Sequence, residues 1–309
     1  MITRAIGVAV LGVALLAPTT ATAQEHAPTA ASRPGTGGWQ RVGDGMTAGI
    51  SGLAVEDRHG AAVDLVGVRD NKEPGQNRLV AIGLRPGAAP RVRPLDWVGP
   101  LPVDLEAIDA VPGRPHEFLA LASGGTAYRV VRNGDTARVL GTFRLPDVSP
   151  DANYEGFALS VLRGRTVAVW ADRGQDDRPA SLFAAAWNPA DNSLGAPVSA
   201  RFRVPYPAAH VRHASDVKAA ADGRLTVSSA ADPGNDGPFA SALYDAGRVT
   251  VSRTGRIGLT VSDAPHRLVT VSGHKVEGLA CLPGSRAGIL GSDDENDGGS
   301  VAVARFCRP

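Results

Sequence analysis

Val276-Glu277-Gly278-Leu279-Ala280 is a short apolar phrase carrying one carboxylate, and the chain writes it again. Tyr154-Glu155-Gly156-Phe157-Ala158 has the same pattern. Leu105-Glu106-Ala107-Ile108 and Ile50-Ser51-Gly52-Leu53-Ala54 follow it more loosely, and Ala214-Ser215-Asp216-Val217 supplies a fifth. With Ser51, Glu106, Glu155, Ser215 and Glu277 taken as equivalent, the intervals are 55, 49, 60 and 62 residues. A recurrence of that length, with several short strands per unit, marks a β-propeller blade, which buries its faces only by stacking on its neighbours. The reading is therefore an all-β chain forming a five-bladed β-propeller, with a six-bladed one as the alternative.

The segments between the phrases agree. Arg165–Trp170, Arg224–Ser229 and Ser300–Phe306 alternate apolar and polar residues, and Asn133-Gly134, Asp222-Gly223 and Pro112-Gly113 supply turns between such runs. Only 32 residues follow Glu277, enough for three strands. The fourth strand of the last blade is expected from Gly38-Trp39-Gln40-Arg41-Val42, a closure that removes an exposed sheet edge. Seventeen residues beyond the aligned positions stand Val68, Ser123, Asp172, Asp232 and Asp294. An outgoing strand, a turn and a return strand bring these residues back to the face that carries the opening phrases. That face is the expected functional one, because loops on a rigid scaffold carry most binding sites.

Bulk properties narrow the functional classes. The formal net charge is +1, with 32 basic and 31 acidic residues among 309, which argues against a nucleic-acid partner. Residues 1–23 read as a signal peptide, with Arg4 before an apolar run and Ala21-Thr22-Ala23 as the cleavage site. Residues 24–38 read as a flexible leader and 39–309 as the propeller domain. No further stretch is apolar enough to span a bilayer, so a secreted or extracytoplasmic monomer with no integral membrane span is expected. In that setting Cys281 and Cys307, the two cysteines of the chain, are expected to form a disulfide.

The first strand of a propeller blade lies nearest the axis, which brings Glu106, Glu155 and Glu277 together at the mouth of the channel. Three crowded carboxylates need a cation or shifted pKa values to relieve their repulsion. Calcium fits an all-oxygen site outside the cell, and Asp294, in the acidic run Gly291–Ser300, is the fourth expected ligand. The run does not make a helix-loop-helix calcium loop, since Ala304 stands where that loop needs a bidentate carboxylate. The alternative is that the glutamates pair with basic residues such as Lys275 or Arg173. Arg69, Lys72, Arg173 and Lys275, with Asp172 and Ser215 on the same face, form the expected ligand-binding set for a phosphate or carboxylate. Arg58-His59-Gly60 lacks the rest of an acid-phosphatase signature, His210-Val-Arg-His213 lacks a third metal ligand, and there is no nucleophile elbow.

In order and spacing, the five phrases resemble the exported propellers known as SdiA-regulated proteins. They are also similar to the domain called esterase-like activity of phytase. The resemblance spans nearly all of the chain after its first 38 residues. It implies a calcium-binding propeller with the acidic residues of the phrases at a central site, and, for the phytase-like relatives, metal-assisted phosphoester hydrolysis. The expected partner is an anionic small molecule or envelope component, and the alternative function is a non-catalytic module with structural calcium that recognises an envelope glycan or protein. Ser51 and Ser215 stand where acidic residues would make a fuller ring, and Ala107 replaces the glycine of the second phrase.

Overall fold

The structure is a computed structural model that describes residues 1–2 and 38–308. The expected signal peptide and leader lie outside the described residues, apart from Met1, Ile2 and Gly38. Strand β1 (Gln40–Gly43) precedes four antiparallel meanders. The first is β2 (Gly52–His59), β3 (Ala62–Val68), β4 (Leu79–Leu84) and β5 (Arg91–Val98), and the second is β6 (Leu105–Ala110), β7 (Glu117–Ala122), β8 (Thr126–Asn133) and β9 (Thr136–Arg144). The third contains β10 (Tyr154–Leu162), β11 (Arg165–Asp172) and β12 (Ala180–Asn188), with β13 (Ser193–Leu194) and β14 (Val198–Phe202) both paired to β12. The fourth is β15 (Val211–Ala219), β16 (Arg224–Ala231), β17 (Ala240–Val251) and β18 (Ile257–Ser272). A fifth sheet joins the two ends of the described chain: β19 (Val276–Cys281), β20 (Ala287–Asp293) and β21 (Gly299–Arg305) are completed by β1, which pairs Gln40 with Val301 and Arg41 with Ser300.

The leading strands of the four meanders and of the closing sheet touch one another in a closed cycle: β2 meets β6, then β10, β15, β19 and β2 again. A separate apolar cluster fills each gap in the cycle. Ala54, Val66, Leu105 and Phe118 lie between the first and second sheets, and Tyr154, Phe157, Leu119 and Trp170 between the second and third. Val169, Leu182, Val217 and Val227 separate the third from the fourth, Leu243, Leu279 and Leu290 the fourth from the fifth, and Leu53, Leu65, Ile289 and Val301 the fifth from the first. The arrangement is propeller-like. Its outer rim is less regular, because β5 and β9 pair in parallel through Asp96–Thr136 and Val98–Arg138 and fuse the first two meanders into one eight-stranded sheet.

The small residues of the opening phrases set how closely the leading strands approach. A Cβ on Gly52 would lie 2.8 Å from the Ala107 Cα, and one on Gly156 would lie 2.9 Å from the Val217 nitrogen. Those separations are shorter than van der Waals contact, so a larger side chain would push neighbouring strands apart. The Cys281–Cys307 disulfide forms, with Cα atoms 5.6 Å apart, and ties β19 to the segment after β21. Disulfides persist in oxidising compartments, which points to an extracytoplasmic setting. Among the described residues no helix is long and apolar enough to cross a membrane.

Candidate functional site

The aligned carboxylates owe their direction to one repeated backbone device. Each of Glu106, Glu155 and Glu277 is the extra residue of a β-bulge at the start of its strand, where the register slips between Leu105 and Ala107, Tyr154 and Gly156, and Val276 and Gly278. A bulge re-aims a side chain out of the alternation of the strand. Ser215 lies in the wider irregularity between Arg212 and Asp216 of β15. All three carboxylates are buried, and burial first, then the charges of Glu155, Asp104, Glu277 and Asp70, raises the pKa of Glu106 well above the usual carboxylate range.

The chain supplies its own cation for two of the three. Arg212 Nη1 donates to Glu155 Oε1 (3.1 Å) and to Glu277 Oε1 (2.8 Å), while its Nη2 pairs with Asp232. Arg173 Nη1 adds a second contact to Glu155 Oε1 at 2.9 Å. Lys275 Nζ lies 3.4 Å from Glu277 Oε1 and 3.9 Å from Asp293 Oδ2, and pairs with Glu295. Burial opposes the charge on Lys275, but Glu277 and Asp293 hold its pKa above the ordinary lysine value.

The expected metal set of Glu106, Glu155, Glu277 and Asp294 is therefore distributed differently. Asp294 accepts from His274 Nδ1 (2.6 Å), Ser292 Oγ (2.8 Å) and the Lys275 backbone nitrogen (2.8 Å), an arrangement that fastens a loop. Glu106 keeps company instead with Asp70, just beyond β3, and Asp104, just before β6. One oxygen from each of these three lies within 4.8 Å of the others, the only such group among the described residues. Glu106 makes no hydrogen bond or ion pair among the described residues, although its side chain is buried. Asp104 has φ 63, a left-handed value that side chains seldom adopt, and is held there by Ser123, whose nitrogen donates to its carbonyl (2.9 Å) and whose hydroxyl donates to its carboxylate.

The expected ligand-binding residues divide likewise. Lys72 Nζ lies 2.9 Å from Asp104 Oδ1, beside the acidic trio, and Arg69 is half-buried with no partner for its Nε. Asp172 is committed to its own turn, accepting from Gly174 N (2.9 Å) and from Arg178 Nη1 (2.8 and 2.9 Å). Ser215 is fully buried and its hydroxyl has no partner, as is true of the Ser51 hydroxyl, Glu155 Oε2 and the Nε atoms of Arg173 and Arg212. The mouth thus carries more carboxylates than its five basic groups neutralise.

Sequence reasoning passed over Arg212, Asp70 and Asp104. The tetrad His210-Val-Arg-His213 drew attention to its imidazoles, yet His213 is a packing group that takes Val204 N on Nδ1 (3.3 Å) and contacts Asp176 O through Nε2 (2.8 Å). The arginine between the two histidines is the residue at the mouth. Asp104 stands immediately before the phrase Leu105–Ile108 and Asp70 two residues beyond Val68, so both lie within reach of the register argument.

A second polar layer lies deeper along the same strands. Asp216 Oδ2 accepts from Leu279 N (2.8 Å) and Asp109 Oδ2 from Leu159 N (2.7 Å), each reaching the next leading strand. Lys218 Nζ donates to Ile108 O (3.0 Å) and Phe157 O (3.1 Å), so one ammonium on β15 joins β6 and β10. Burial lifts the pKa of Asp216 to about 7 despite the Lys218 charge.

No family model matches the chain, and no curated protein matches it. Solved structures do. The fold is similar to that of an exo-1,5-α-L-arabinanase from a bovine ruminal metagenomic library, at 10% identity and a TM-score of 0.50, covering 85% of this chain and 95% of that one. An α-L-arabinofuranosidase from Podospora anserina, solved in complex with cellotriose, is 15% identical with a TM-score of 0.48, covering 88% and 98%. At such identities the arabinanase likeness speaks for a propeller-type fold alone.

Proposed function

We propose that the chain is an exported five-bladed β-propeller whose axial mouth holds a divalent cation on Asp70, Asp104 and Glu106 and serves as a binding module for an anionic small molecule or envelope component. The blade count is supported by the closed cycle of five leading strands with one apolar cluster in each gap. Export is supported by the disulfide and by the signal-like segment 1–23. The observation that carries the cation is the unpartnered, buried Glu106 carboxylate within 4.8 Å of oxygens from two aspartates. Ligands around one calcium ion, at 2.3–2.6 Å from it, lie up to about 5 Å apart, so the three oxygens fit a single coordination sphere. All-oxygen donors favour calcium over zinc or copper.

Asp104 already holds Lys72, so a cation there competes with the ammonium. Lys72, once released, and Arg69 then stand beside the bound ion as anion-binding groups, which gives the mouth its expected preference. Metal-assisted hydrolysis of a phosphoester is the second reading, favoured by the phytase-like spacing of the phrases and by these two basic residues flanking Asp70. In that case calcium would neutralise phosphate charge, and Arg69 and Lys72 would orient the ester.

Metal analysis and thermal melting with and without chelator test the cation: calcium raises the melting temperature of the wild type but not of Glu106→Gln. An unchanged melting temperature in the wild type overturns the reading. Phosphomonoester and acyl-ester turnover, assayed with and without chelator, separates the two functions. Chelator-sensitive turnover lost in Glu106→Gln selects the hydrolase, and calcium-dependent melting without turnover selects the binding module.

A further inference from the structure

A cleft of about 560 Å³ opens between the first and second meanders, at the far end of the leading strands from the mouth. Four arginines (Arg85, Arg91, Arg93 and Arg132) line it, together with His116 and three carboxylates. The carboxylates are already committed. Glu56, the bulged residue of β2, is buried and accepts from His116 Nδ1 (2.9 Å) and from Arg132. Asp64 is gripped by Arg85 Nη2 through both oxygens (2.8 and 3.1 Å), and Asp57 pairs with His59 (2.8 Å) and accepts from Arg58 N.

What remains is positive. Arg91 and Arg93 are two residues apart on β5, so both side chains project from one face of the strand, and both line the cleft. Arg93 pairs only with Asp135, itself half exposed, and Arg91 makes no ion pair among the described residues. Glu56 fixes the His116 ring through Nδ1 and leaves Nε2 free. When it carries a proton, this Nε2 is a third donor facing the cleft.

We propose that this cleft is a binding site for a small organic phosphate, held by Arg91, Arg93 and Nε2 of His116. Planar guanidinium groups match the oxygens of a phosphate dianion in pairs, and the cleft is several times larger than a phosphate group, leaving room for an organic portion. The site is independent of the cation at the mouth. Calorimetric titration with glycerol 3-phosphate, in chelator and at fixed ionic strength, tests it. One saturable site is expected, with affinity about tenfold weaker in Arg91→Ala/Arg93→Ala, weaker in His116→Gln, and unchanged in Glu106→Gln. Both arginines are exposed, so the double variant folds, and its melting temperature verifies that. The proposal is overturned by no saturable binding up to about 10 mM, by equal binding of glycerol, by an undiminished affinity in the double variant, or by loss in Glu106→Gln, which would move the ligand to the mouth.

Discussion

Two layers of charge lie on and beside the same leading strands, and they are built on opposite rules. In the deeper layer, Asp109, Asp216 and Lys218 spend their polar atoms on backbone groups of neighbouring strands. At the mouth, Glu155, Glu277, Arg173, Arg212 and Lys275 pair side chain with side chain, Glu106 is left over, and several buried nitrogens and oxygens have no partner. A layer that satisfies the backbone fastens the ring. A layer whose groups satisfy only one another can exchange partners, and that exchange is what binding requires.

The sharpest way to break this contrast is Lys218→Met. It removes the ammonium shared by three strands, takes the donor from the buried Ile108 and Phe157 carbonyls, and removes the charge 3.4 Å from Asp216 that holds its pKa down. A loss of about 3–5 kcal/mol in urea unfolding is expected; a loss below about 1 kcal/mol would mean the deeper layer is not a fastener. Arg212→Leu should cost roughly half as much, because its side chain keeps some exposure at the mouth and Arg173 and Lys275 remain to share Glu155 and Glu277.

A third test uses pH. The carboxyls of Asp216 and Asp293 are lifted by burial from 3.8 to about 7, so the folded chain keeps their protons where the unfolded chain has released them. Their contribution to stability is complete below about pH 4 and is lost as pH rises to 7. Unfolding free energy is therefore expected to fall across that window, and Asp216→Asn to flatten the fall. The smallest effect should come from Glu106→Gln, which without calcium should change stability by less than about 0.5 kcal/mol or raise it slightly, since a neutral amide of the same shape replaces a carboxyl whose charge burial already disfavours. A large destabilisation would show that Glu106 belongs to the scaffold.

How much of this was readable in one dimension depends on the distance a partner lies along the chain. The five phrases, the turn dipeptides and the alternation in segments such as Arg165–Trp170 are local signals; they point to the all-β fold and to the pairing of β1 with the last sheet, and they single out the glutamates of the phrases. Arg173 and Lys275, near neighbours of Glu155 and Glu277 along the chain, are partners the sequence offers, but Arg212, which the two carboxylates share, lies 57 and 65 residues away. Nothing near Glu155 or Glu277 indicates that Arg212 reaches both. The second phrase shows the limit most clearly: Asp104 directly precedes it, but only the left-handed backbone at Asp104 and the bulge at Glu106 gather the two carboxylates with Asp70. Lys218 went unnoticed because an isolated lysine in an apolar strand carries no pattern.

The ladder between β1 and β21 sets an order of events. Gln40 waits for Val301, some 260 residues further along the emerging polypeptide, before it has a neighbour to hydrogen-bond. Each of the four intervening meanders can zip locally as it is made, but the circle can be sealed only last, after the long entropic search that joins two distant segments.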